Sequence, residues 1–284
     1  MGSYYLTWLA DVLRGEGLRV VECDEWQTRS RSSGGYEPGR PWCVMWHHTA
    51  SATGASAAND VAYMLNPSND AYPTANLYIA RDGEVWVMAA GATNTNGKGS
   101  GERRTSRGTV PVDSMNTYAV GIEIGNNGSG EPYSQACINA AFVTSLAVTR
   151  ECGLLPTDVI HHQAYAPDRK VDPATCTGVQ GDWYPKSITS SGTWSLDDLK
   201  AECDRRAAAS GSGELDMPLS DEDIEKIAQR AAEKVWTHDV GGTRAWSAIN
   251  IIQGTVRQFL GGWKDGTPPP ASTMLKQIHD NTKK

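Results

Sequence analysis

Residues 43–47 read Cys43-Val44-Met45-Trp46-His47, and this run decides the fold class. Four apolar residues in succession, without the alternation of a half-exposed strand, suit a strand buried inside a sheet that is covered on both faces. Tyr118 to Ile124 is a second run of this kind, and Val159 to His162 is a shorter one. Around them lie helical patterns. Leu6, Leu9, Val12 and Leu13 recur at helical spacing before Gly15 and predict a helix over 4–14, with strand-like Arg19 to Cys23 after it. Residues 56–65 read as a helix that stops before Pro67, and Ser134 to Cys152 as a well-buried helix ending at Gly153. Leu77 to Arg81 and Glu84 to Met88 flank Asp82-Gly83, which predicts a two-residue hairpin turn. Ala164 to Trp194 reads as irregular, and Ser195 with Asp198 caps a helix through about Ala208. Strands and helices are interspersed, so residues 1–208 are expected to form one mixed α/β domain, a central β-sheet flanked by helices.

The remainder of the chain has a different texture. Residues 209–218 (Ala-Ser-Gly-Ser-Gly-Glu-Leu-Asp-Met-Pro) are small and polar and read as a flexible linker. Beyond it, Ile224, Ile227, Ala228, Ala231 and Val235 lie on one helical stripe, and Trp246, Ile249, Ile252, Val256 and Phe259 on another. Residues 219–284 are too few to bury a large core, so a small helical module that packs on a partner or self-associates is expected.

Composition narrows the classes of function. The 284 residues carry 26 basic against 33 acidic side chains, a net charge of -7, with no basic cluster, which excludes a nucleic acid held by charge alone. No apolar run approaches the ~20 residues of a membrane span. Met1 to Val20 lacks a cationic start followed by an apolar stretch, so synthesis in the cytoplasm without a signal peptide is expected. The six cysteines, Cys23, Cys43, Cys137, Cys152, Cys176 and Cys203, include no Cys-x-x-Cys pair and are expected as reduced, mostly buried thiols. Gly91 to Gly99 superficially suggests a phosphate loop. It fails, because five residues separate Gly91 from Gly97-Lys98 and Gly99 stands where Ser or Thr is required. It reads better as a polar cleft rim in which Asn94 and Asn96 bind sugar or peptide amides.

The chemistry is concentrated in the histidines. Of six, four fall in two adjacent pairs, His47-His48 and His161-His162, each at the end of a buried strand-like run. Neighbours on a strand face opposite ways, so each pair can offer one imidazole to a common metal while the other packs behind it. Asp172 follows ten residues after His162, with Lys170 two before it. Two imidazoles and a carboxylate form a catalytic zinc set with one position left for water. A lysine beside it stabilises a developing oxyanion. Glu123, a carboxylate on an otherwise apolar strand, is the best candidate base.

In order and spacing, Trp46-His47-His48-Thr49-Ala50, then Asn116 with Val120-Gly121-Ile122-Glu123, then His162 through Ala166-Pro167-Asp168-Arg169-Lys170-Val171-Asp172-Pro173 resemble the zinc-dependent N-acetylmuramoyl-L-alanine amidases of type 2. That family shares its fold with peptidoglycan-recognition proteins, and the wider setting resembles endolysins of phages that infect actinobacteria. The resemblance implies zinc ligands His47, His162 and Asp172, a base at Glu123, an oxyanion contact at Lys170, and peptidoglycan as partner. Asn76, Asn94, Asn96 and Asn116 are the candidate substrate-binding residues. It further implies lysis of the host wall after release through a separate membrane pore. A non-catalytic peptidoglycan-binding protein, or a bacterial or prophage autolysin with the same chemistry, are the alternatives. Many relatives carry a catalytic tyrosine where this chain has Ala75, with Tyr72 as the nearest substitute.

Overall fold

The computed structural model describes residues 2–175 and 192–214, except for the side chains of 210–214. Helix α1 (Leu9–Gly15) leads to β1 (Val20–Glu22), β2 (Cys43–His48) and α2 (Ala57–Met64), followed by β3 (Leu77–Ile79) and β4 (Val85–Val87). A small hairpin of β5 (Arg104–Thr105) and β6 (Gly108–Thr109) precedes β7 (Ala119–Ile124) and α3 (Gln135–Glu151). Then come β8 (Val159–His161), the short α4 (His162–Tyr165) and α5 (Leu196–Glu214). Six strands make one sheet in the order β1-β4-β3-β7-β2-β8, with only β3 and β4 antiparallel, which is the mixed α/β architecture expected.

The two buried runs of the sequence are the middle of this sheet, and their parity organises the molecule. On one face Val44 and Trp46 of β2 join Val120 and Ile122 of β7 in the main core, with Leu9 and Leu13 of α1 and Ile138 and Phe142 of α3. The Trp46 ring packs against Phe142 at 5.0 Å between centroids and a 60° tilt, and its indole N–H donates to Ser145 Oγ at 2.7 Å, so the helix meets both the apolar body and the polar edge of the ring. On the other face Cys43, Met45 and Ala119 form a smaller cluster with Ile160 of β8. His47 and Glu123 continue that second face, side by side in register. The alternation that drives Trp46 and Ile122 into the core therefore delivers the two polar residues to the opposite surface.

Local signals set the element ends. Ser134 accepts from Cys137 N–H to start α3. Gly153, at φ +63°, ends it, with Gly153 N–H donating to Arg150 O and Leu154 N–H to Thr149 O, a Schellman closure. Helix α1 begins later than its periodicity predicts, because Tyr4 exchanges backbone bonds with Tyr36 and Leu6 donates to Ala90 O before the helix can form. The Asp82-Gly83 hairpin is also wider than predicted. Ala80 N–H donates to Glu84 O and only Gly83 takes a positive φ, giving a five-residue connection, while Asp82 accepts from Arg19 instead. Helix α5 runs to Glu214, into the segment read as linker, since a nucleated helix tolerates Gly and Ser at about 1 kcal/mol or less each.

Cys43, Cys137 and Cys203 are buried and Cys23 and Cys152 partly buried; Cys176 and the C-terminal stripes at 224–235 and 246–259 lie outside the described residues. Among the described residues no helix is long and apolar enough to cross a membrane.

Candidate active site

His47 Nδ1, His162 Nδ1 and Asp172 Oδ2 converge at the bottom of a cleft of about 520 Å³, with separations of 2.8 Å between the imidazoles and 3.1 and 2.8 Å from each to the carboxylate. All three residues are buried. They are the one group of three or more potential metal-binding side chains among the described residues. Each comes from a different piece of backbone: the end of β2, the first residue of α4, and the segment after the turn at 167–169.

The donor atoms fit a cation. His162 Nε2 lies 2.9 Å from the backbone oxygen of Asn96, which can only accept, and 3.3 Å from Arg169 Nη2, which can only donate; the shorter contact favours the proton on Nε2, which leaves the Nδ1 lone pair facing inward. His47 Nε2 lies 3.1 Å from Asn96 Oδ1 and takes the same tautomer. Two lone pairs and a carboxylate oxygen brought this close repel one another unless a positive charge lies between them, and an N,N,O set is what zinc accepts. Burial together with the neighbouring His47 pushes His162 down to about 4, keeping it neutral at physiological pH.

Glu123 lines the same cleft, one strand over from His47 and paired with it in register. Burial pushes its carboxyl up to about 7, and Oε2 has no hydrogen-bond partner among the described residues. It is thus a buried carboxyl poised near neutrality, with a free oxygen on the cleft side of the sheet. Lys170 and Asp172 both line the cleft, as their two-residue spacing predicted.

The second imidazole of each pair supports the first. His48 Nδ1 accepts from Ala174 N–H at 3.1 Å, which ties the strand end to the segment carrying Asp172. Burial holds His48 below its ordinary value. His161 Nδ1 accepts from Ala164 N–H and so caps α4, on which His162 is the first residue. The strand-like reading of Val159 to His162 therefore fails at its last residue: the cap turns the chain into a helix there.

The four asparagines separate. Asn94 lines the cleft, its amide donating to Tyr72 O. Asn96 lines it too, but its oxygens are engaged with the imidazoles. Asn76 is fully buried and does not reach the cleft: its oxygen accepts from Tyr36, Thr93 and Gly121, and its amide donates to Ala89 O and Gly91 O. Asn116 does not line the cleft either; its oxygen accepts from the N–H groups of Asn96 and Gly97. An isolated asparagine in a sequence does not reveal whether its amide will meet backbone or ligand, and here the backbone of one loop used most of them. Gly121 makes that loop possible. A Cβ there would lie 2.2 Å from Thr95 Oγ1, so only glycine lets residues 93–97 cross β7 and bring Asn96 to the histidines. Ala75 sits in a core cluster with Met64 and Tyr78, and Tyr72 is not among the residues lining the cleft.

The model of the N-acetylmuramoyl-L-alanine amidase family matches residues 37–175, the stretch that holds β2 to β8 and every site residue above. No curated protein matches the chain. Among solved structures, it is similar to the endolysin N-acetylmuramoyl-L-alanine amidase LysCS from Clostridium intestinale URNW, at 15% identity over 66% of this chain and 95% of that one, with a TM-score of 0.38. It is similar also to the N-acetylmuramyl-L-alanine amidase AmiD from E. coli, in complex with a substrate (18% identity, 56% and 64% of the two chains, TM-score 0.40). A third is a selenomethionine derivative of AmpD (20% identity, 64% and 95%, TM-score 0.41).

Proposed function

We propose that this chain is a zinc-dependent N-acetylmuramoyl-L-alanine amidase of the endolysin type, hydrolysing the amide between the lactyl group of N-acetylmuramic acid and L-alanine in peptidoglycan and so lysing the host wall. The observation that carries the reading is the convergence of His47, His162 and Asp172 in one cleft with Glu123 and Lys170, inside the segment matched by the amidase family. A purely peptidoglycan-binding protein would need neither the complete donor set nor a buried carboxyl beside it.

His47, His162 and Asp172 would hold the zinc, which when bound supplies Lewis acidity toward the scissile carbonyl and toward water. Glu123 takes the proton from the attacking water, and its carboxyl, pushed up to about 7, returns that proton to the departing alanine amine. Lys170 donates to the carbonyl oxygen as that oxygen becomes negative.

The test is digestion of purified actinobacterial peptidoglycan with chelated and zinc-restored protein, the products read by mass and by new amino termini. Stem peptides beginning with alanine, lost on chelation and restored by zinc, are expected, and Glu123→Gln should lower kcat by about 10² to 10⁴. Zinc binding without any cleavage would reject the amidase and leave a recognition protein.

A further inference from the structure

We infer that Asn96 is the positioning residue of the metal site, fixing the tautomer of both histidine ligands from a single position. The inference rests on the zinc reading above and goes beyond it. Asn96 acts through two chemically different groups: its side-chain oxygen takes the Nε2 proton of His47 at 3.1 Å, and its main-chain oxygen takes that of His162 at 2.9 Å. Both bonds favour Nε2 as the protonated nitrogen, for His162 against a longer 3.3 Å contact of Nε2 with Arg169 Nη2, so both Nδ1 atoms present lone pairs to the centre. A partner on the outer nitrogen sets ligand orientation and basicity, and its loss costs roughly 10- to 100-fold in metal affinity.

The residue is itself held from several sides. Its N–H donates to Asn116 Oδ1 at 2.8 Å, and the same oxygen takes the next N–H, from Gly97. The Arg169 guanidinium donates to Asn96 O at 2.7 Å and through Nε to Lys98 O at 2.7 Å. Upstream, Asn76 fixes Ala89, Gly91 and Thr93. The loop from 89 to 98 is thus anchored on both sides of Asn96, and Asn96 is fully buried. The amide–imidazole contact to His47 is the only one of the two tautomer-setting bonds that a side-chain substitution removes, since the bond to His162 belongs to the backbone.

That asymmetry gives the test, made on the full chain with zinc alone. Zinc affinity is measured by competition with a chromophoric chelator, and histidine tautomers by long-range ¹⁵N–¹H correlation. In the wild-type protein both His47 and His162 should show protonated Nε2 and zinc-perturbed Nδ1. Asn96→Ala should weaken zinc binding by about 10- to 100-fold and disturb the tautomer of His47 while that of His162 stays fixed. Asn96→Asp keeps the acceptor and should retain both the affinity, within about threefold, and the His47 tautomer. Wild-type affinity and an unchanged His47 signal in Asn96→Ala would overturn the inference and leave the zinc reading intact. A wild-type chain that binds no zinc would overturn the zinc reading itself, with this inference. If Asn96→Ala does not fold, Asn96→Asp decides: loss of zinc affinity or of the His47 tautomer in that variant overturns the inference.

Discussion

The two histidine pairs have the same sequence and use it in opposite order. In His47-His48 the first imidazole enters the converging group and the second braces the Asp172 segment through Ala174; in His161-His162 the first caps a helix and the second enters the group. Register explains the reversal. Trp46 of β2 pairs with His161 of β8, and paired residues of parallel strands point to the same face. His161 therefore shares the core-side parity of Trp46, and the next residue of each chain segment, His47 and His162, emerges on the cleft side. A shift of one residue between β2 and β8 would send the other imidazole of one pair to the cleft.

The sharpest way to break this comparison is to remove one imidazole at a time. His47→Ala and His162→Ala should each abolish stoichiometric zinc binding and lower kcat/KM by at least about 10³, since a catalytic zinc site has only three protein ligands to lose; metal content by atomic absorption and wall digestion provide the readings. Equal loss of metal in His48→Ala or His161→Ala would erase the distinction drawn here.

A smaller effect belongs to His48. Its replacement by alanine frees Ala174 N–H and loosens the segment that carries Asp172, so zinc affinity should fall by about 10-fold with stoichiometry retained, as a chelator titration would show. The smallest is at His161. His161→Ala removes the cap of α4 and leaves a void, which should cost about 2 kcal/mol in urea unfolding, and His161→Asn, which still supplies a capping oxygen, should recover about 1 kcal/mol of it. Zinc stoichiometry should stay at wild-type level in both.

Much of the fold was legible before any coordinates. The strands at 43–48 and 119–124 followed, to within a residue, from apolar runs without alternation, and α3 from a stretch that is apolar almost all round and ends at Gly153. These signals are local, being set by neighbours within a few residues. What misled the reading was also local chemistry answering a distant demand. The opening helix lost its first residues to pairing between Tyr4 and Tyr36, and the Asp82 side chain went to Arg19. At the site, the residue types and the Lys170-x-Asp172 spacing were readable because chemistry restricts which side chains can bind a metal or move a proton. The tasks of the asparagines were not, since an amide serves a loop or a ligand equally well.

The sequence by itself therefore determined the main strands and helices, though not the β5–β6 hairpin or α4, and the roster of groups able to do chemistry, because apolar patterning and side-chain type are properties of short segments. Only the tertiary structure gave the physical reason that His47 and His162, the ligands implied by the family resemblance, join Asp172, and decided that Glu123 stands beside His47 as a buried carboxyl and that Asn96 meets both histidines. Those outcomes depend on strand register and on a loop crossing at Gly121, and both are contacts between residues tens of positions apart whose energies no single segment contains.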